Sequence, residues 1–208
     1  LGIDVDSEVR NEFVKRLHSP LQLPPLSYND LKTECEELVR NFDTENSRPL
    51  IKLKSQSRTA TMSMKKPIKK KICERSIATG RCADIIDAPV EEVLAWLYDV
   101  RSRERLRVHR EFGNIARVTY DDDGRQLVFA TIKRVQFPLK SREFVCRTFW
   151  WKDDSSGAYF YASVSIDDIV DYGKSITSVR GLTRALVKLV PYGEVGLDGT
   201  HLQCEMIY

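Results

Sequence analysis

No stretch of this 208-residue sequence approaches the roughly 18 consecutive apolar residues that a membrane-crossing helix needs. No charged leader with an apolar centre is visible either. Cysteine is sparse and scattered: Cys35, Cys73, Cys82, Cys146 and Cys204 are odd in number and form no CxxC pair. A disulfide framework and a zinc site are therefore excluded, and reduced thiols are expected. His18, His109 and His201 lie far apart with no HExxH-type spacing. GxSxG, P-loop and GxGxxG motifs are missing, so neither a serine hydrolase nor a nucleotide cofactor is signalled. No internal repeat or low-complexity tract occurs. The basic stretches lack interleaved aromatics, which speaks against nucleic acid. With Leu rather than Met at position 1 and an abrupt end at Tyr208, we expect a piece of a longer chain.

What is present is ordinary for a soluble globular protein: 42% hydrophobic and 30% charged residues in 24.0 kDa. The length suffices to bury about 70% of the unfolded surface without a metal or a disulfide. Net charge is only +3, but the basic residues cluster. Lys54, Arg58, Lys65, Lys66, Lys69, Lys70, Lys71 and Arg75 face a single acid, Glu74, and Arg101, Arg103, Arg105, Arg107 and Arg110 follow. Such clusters attract anionic membrane, which makes Lys65, Lys66, Lys69, Lys70 and Lys71 candidate membrane contacts. A solvated loop and an exposed helix face are the competing reading.

Helical spacing marks Val9, Phe13 and Leu17, then Leu31, Cys35, Leu38 and Phe42, with prolines between and a Ser27/Asp30 capping pair. Residues 1–47 thus read as a helical extension of a domain over 48–208. Strand character runs through 50–64 and Ile77–Asp87. The clearest helix covers 89–100, with Pro89 in the first turn, Asp87 as cap and Val90, Val93, Leu94, Leu97 and Val100 as its apolar stripe. A short arginine-rich helix over 101–111 follows. Beyond Asn114 three hairpins alternate strand and turn signals: 115–120 with 125–135, 142–151 with 158–166, and 182–192 with 200–208. The fold class is α+β with a large antiparallel meander. Because the helix at 89–100 is the main cover available, a hollow is expected beneath it.

The segment Pro138-Leu139-Lys140-Ser141-Arg142-Glu143-Phe144-Val145 resembles the P-x-x-x-R-[DE]-[FY]-V signature of START lipid-transfer domains. Asp87–Val93, Trp150-Trp151, Tyr159–Asp167 and Val179-Arg180-Gly181 are similar to further family motifs, in the family's order, over about 50–208. The resemblance implies a helix-grip fold, a curved antiparallel sheet over a central helix, and lipid binding rather than catalysis. It also implies a lid helix after the last strand. The sequence stops before one, so a C-terminally truncated domain is expected.

By this resemblance Phe144, Cys146 and Thr148 face the ligand, since alternate side chains share a face. On the next strand it selects Tyr159, Tyr161, Ser163 and Ser165, whereas apolarity selects Phe160, Ala162, Val164 and Ile166. Arg142 and Arg180 are candidates for a lipid phosphate or hydroxyl, or for ion pairs with Glu143, Asp167 or Asp168. Cys146 reads as a small buried hydrophobe rather than a nucleophile, and Trp150 and Trp151 as packing residues. Three functions remain: a binder of sterol, phospholipid or fatty acyl lipid acting at membranes; a regulatory or interaction module with a filled core; and an enzyme, for which no acid–base pair is visible.

Overall fold

A computed structural model describes residues 28–44, 49–55, 57–66, 79–122, 126–136, 138–166, 179–195 and 202–207. The expected helix around Val9–Leu17, the Ser27 cap and Lys69–Lys71 lie outside the described residues. The described chain forms α1 (Tyr28–Thr44), β1 (Leu50–Leu53), β2 (Thr61–Lys65), β3 (Thr79–Ile86), α2 (Val90–Tyr98) and α3 (Arg103–Glu111). Then come β4 (Ile115–Asp122), β5 (Gln126–Lys133), β6 (Arg142–Lys152), β7 (Tyr159–Ser165), β8 (Val179–Arg180), β9 (Arg184–Val195) and β10 (Leu202–Ile207).

The three expected hairpins form one meander, β4-β5-β6-β7-β9-β10, and β10 then pairs with β3 to extend the sheet through β2 to β1. All these pairings are antiparallel. The two-residue β8 is the exception, lying parallel to β6 with Val179 opposite Arg142 and Arg180 opposite Glu143. Its backbone is clamped by Val179 N–H to the Ser141 carbonyl at 2.9 Å and Gly181 N–H to the Glu143 carbonyl at 2.7 Å.

Helices cover both faces of the sheet. On one face Leu31 and Cys35 of α1 pack on Phe149, Trp151, Ala162, Val164 and Leu186. Trp151 stacks there between Phe149 and Phe160, at centroid distances of 5.5 and 5.1 Å. On the other, Val90, Val93 and Leu94 of α2 pack on Tyr161, Val187, Leu189 and Cys204. This explains why β6 reads as a nearly continuous apolar and aromatic run: a strand covered on both sides has no solvent face to mark with polar residues.

The start of α2 also differs from the expectation. Pro89 is the cap residue itself, its carbonyl accepting from Glu92 and Val93 N–H at 3.1 Å each, and no side chain caps the helix. Asp87 instead accepts from Gln203 Nε2 at 3.2 Å, tying the helix approach to β10. Glu91 and Glu92 in the first turn supply the negative charge that the helix dipole favours. Val100, assigned to the helical stripe, is buried just past the helix end. Ser102 caps α3, accepting from Arg105 N–H at 3.3 Å.

Candidate functional site

Register and packing assign the two faces. Phe149 opposite Ala162 and Trp151 opposite Phe160 belong to the α1 face. Alternation then carries Phe144, Cys146 and Thr148 of β6, and Tyr159, Tyr161, Ser163 and Ser165 of β7, to the α2 face. On β7 both faces are covered: Ala162 and Val164 pack in the α1-face core, and Phe160 packs there and also lines a cavity on that face.

These residues share a face but differ in surroundings. Tyr161 is closed over by α2. Thr148 is fully buried, its hydroxyl donating to the Leu127 carbonyl at 3.2 Å. Cys146 Sγ lies 3.8 Å from Ser165 Oγ, and Ser165 Oγ accepts from Thr183 N–H at 2.8 Å. Burial pushes the Cys146 thiol up, against opposing contributions from Ser165, Ser163, Lys133 and Arg180, so the group is an inert apolar filler at neutral pH. Phe144 is half-buried, with the Lys133 ammonium 5.7 Å from its ring centroid. Arg142 donates from Nη1 to the Lys140 carbonyl at 3.0 Å, and Arg180 Nε lies 4.0 Å from the buried Glu143 carboxylate.

A cavity of about 960 Å³ opens on the α1 face, not beneath the 89–100 helix where a hollow was expected, because Val90, Val93 and Leu94 pack directly on the sheet there. Thr79–Cys82 of β3, Arg184–Leu186 of β9 and Ile207 of β10 line it. Leu38, Val39 and Phe42 of α1 border it on one side, with Met62 and Met64 of β2 and Phe160, Leu182 and Ala185 completing an apolar lining. Ser165 lines it too, whereas Phe144, Cys146, Thr148, Tyr161 and Ser163 do not. Its polar members are Glu36, Ser63, Thr79, Ser165, Thr183 and Lys188, with Arg81 paired to Asp43 at 2.6 Å and Arg184 to Glu34 at 2.5 Å.

Two features were missed by sequence reasoning. Arg105, counted among the surface arginines, turns inward so that its guanidinium sits 4.1 Å from the Trp96 ring centroid. Its Nε is buried without a hydrogen-bond partner. Desolvation lowers its pKa, with Tyr161 acting in the opposite sense. The readable signal was its spacing from Val108 and His109, the half-buried face of an otherwise exposed helix. Burial, then the charges of Arg105 and Lys133, likewise lower the His109 pKa.

The second is Lys65, expected at a membrane surface but only 5% exposed. Its ammonium donates to the Phe42 carbonyl and lies 4.9 Å from the Phe42 ring centroid. That position closes the C-terminal end of α1 and removes Lys65 from any surface. Lys66 is exposed. Among the described residues no cluster of His, Cys, Asp or Glu could hold a metal ion, and no helix is long and apolar enough to cross a membrane.

No protein-family model and no curated protein matches the chain. Solved structures do. The human StarD13 lipid transfer and protein localization domain is similar at TM-score 0.54 and 15% identity, over 88% of this chain and 81% of that one. The human StAR-related lipid transfer protein 5 is similar at TM-score 0.56 and 13% identity, over 86% and 81%. A STAR-related lipid transfer protein fragment from Xanthomonas axonopodis is similar at TM-score 0.55 and 13% identity, over 76% and 80%. The chain has the START helix-grip fold. At this identity the likeness is one of fold.

Proposed function

We propose that the chain binds a hydrophobic, lipid-like molecule, a sterol, phospholipid or fatty acyl lipid, for transfer or sensing at cytoplasmic membranes. The observation that carries this reading is the hollow of about 960 Å³ lined by Leu38, Val39, Phe42, Met62, Met64, Phe160, Leu182, Ala185 and Leu186. Its size and largely apolar lining suit a ligand of lipid dimensions, and the two methionines adapt to irregular chains. The START fold supports the same reading, since the similar structures are named as lipid-transfer proteins. In this account Phe144, Cys146, Thr148, Tyr161 and Ser163 back the sheet from the α2 face rather than touch the ligand, and Arg142 and Arg180 stand where β6 pairs with β8.

A regulatory or interaction module is the second reading, favoured by the packing of Val90, Val93 and Leu94 on Tyr161, Val187 and Leu189, which fills part of the face a ligand would use. Native mass spectrometry after exposure to cholesterol, phosphatidylcholine and oleate separates the two. One lipid per chain, lost in Ala185→Trp and in Met64→Trp, is the expected result. A chain that stays empty with all three favours the module.

A further inference from the structure

Charges along the lining of the hollow nearly balance. Three cations border it: Arg81, Arg184 and Lys188. The first two are neutralised from α1, Arg81 by Asp43 at 2.6 Å and Arg184 by Glu34 at 2.5 Å. The acid in the lining, Glu36, lies 3.9 Å from Lys32 of the same helix. Lys188 makes no ion pair among the described residues, and its ammonium lies 6.0 Å from the Phe160 ring centroid.

The register places this lysine against the hollow. Alternation along β9 carries it to the α1 face with Leu186. It stands opposite Phe160 of β7 and Ile207 of β10, both of which line the hollow. The side chain is half-buried. Glu205, its diagonal neighbour across β10, shares that face but forms no ion pair with it. A partly desolvated ammonium without a counter-charge is costly. An entering carboxylate supplies that charge through charge-assisted hydrogen bonds.

From Lys188 the floor of the hollow runs across the strands. In the order β9-β10-β3-β2-β1 it passes Ile207, then Gly80 and Cys82, then Met62 and Met64, and ends at Leu53. Four strand spacings of about 4.8 Å make that path roughly 19 Å long. Gly80, opposite Met64, sets no side chain in the way, and the two methionines adapt to a tail. Val39 and Phe42 of α1 flank the same path. One linear acyl chain ending in an anion matches it. A sterol carries no anion, and phosphatidylcholine brings a second chain and its own cation.

We propose that the hollow selects a long-chain fatty acid, with its carboxylate on the Lys188 ammonium and its tail laid over Ile207 and Gly80 towards Met62 and Met64. This rests on the hollow being the ligand site, and it names the class of molecule that the site takes. The test is equilibrium uptake of radiolabelled oleate, oleyl alcohol, cholesterol and phosphatidylcholine, each offered to the full chain from cyclodextrin. Oleate should bind about ten-fold more tightly than oleyl alcohol, which has the same tail without the charge, since one charge-assisted hydrogen bond is worth that factor. Lys188→Met keeps the stem and should bring the two to parity, whereas Lys188→Arg should retain the preference. Lys152→Met, at an exposed cation that does not line the hollow, should retain it too.

Gly80→Val gives a second readout with Lys188 intact. A Cβ at Gly80 meets the Ser63 carbonyl oxygen at an ordinary 3.6 Å, and a β-branched residue suits a strand, so the fold accepts the change while the path is filled. Oleate and oleyl alcohol should then both bind about ten-fold more weakly, from overpacking of the path. Equal binding of oleate and oleyl alcohol by the native chain would overturn the proposal and leave the ligand reading standing. So would an unchanged preference in Lys188→Met, or tighter binding of cholesterol or phosphatidylcholine than of oleate. Uptake of none of the four lipids would remove the ligand reading and this proposal with it.

Discussion

Gly181 closes the Val-Arg-Gly segment, and a Cβ there would lie 2.5, 2.8 and 3.0 Å from Cε1, Cζ and Cδ1 of Phe144. Carbon atoms rest at about 3.5–4 Å, so Gly181→Ala must displace the ring by roughly 1 Å. The backbone cannot withdraw instead, because Gly181 N–H is held by the Glu143 carbonyl at 2.7 Å. Overpacking of this kind costs about 1–3 kcal/mol. Gly181 does not occupy the left-handed region, so alanine also removes unfolded-state entropy, worth about 0.4–1 kcal/mol in favour of folding. The net expectation is a loss of about 0.5–2 kcal/mol in urea denaturation. Phe144→Ala vacates the space, and in that background Gly181→Ala should turn neutral or slightly stabilising. The cycle therefore predicts a coupling of about 1–3 kcal/mol between the two sites. A neutral Gly181→Ala in the native background, or an equal loss in both, would refute the contact.

Three further outcomes follow from burial. Leu189→Ala, at a fully buried position under α2, should cost about 2–5 kcal/mol by chemical denaturation, and a cost below about 1 kcal/mol would contradict that packing. Lys65→Met should destabilise by about 1–3 kcal/mol in chemical denaturation, since it strips the Phe42 carbonyl of its donor; unchanged stability would return Lys65 to the surface. Burial raises the Cys35 and Cys204 thiols from 9.0 to about 11. Because the folded state keeps these protons longer than the unfolded state, their contribution is full below pH 9 and is lost as pH rises towards 11. Stability measured across that window should fall, less so in Cys35→Ala, and a flat profile would argue against buried thiols.

Much of the fold was legible because its information is local. Turn signals such as Asp153–Gly157, where Gly157 adopts a φ of +69°, punctuate strands whose neighbours in sequence are neighbours in the sheet. The β3–β10 pairing was not legible, since it joins segments more than a hundred residues apart with nothing local to fix the register. The parallel β8 is too short to carry a period. The hollow draws its lining from α1, β2, β3, β7 and β9, segments far apart in sequence that no local pattern brings together. Lys65 and Arg105 misled for a shared reason: a charged residue in a basic cluster reads as solvated, and only tertiary packing against Phe42 or Trp96 shows otherwise.

The ligand hollow is tested most directly by photocrosslinking with a diazirine-bearing fatty acid, followed by peptide mapping. The account predicts one label per chain, on Met62–Met64 or Leu182–Leu186, competed by unlabelled oleate and lost in Ala185→Trp. Labelling spread over the surface, or confined to segments that do not border the hollow, would contradict it.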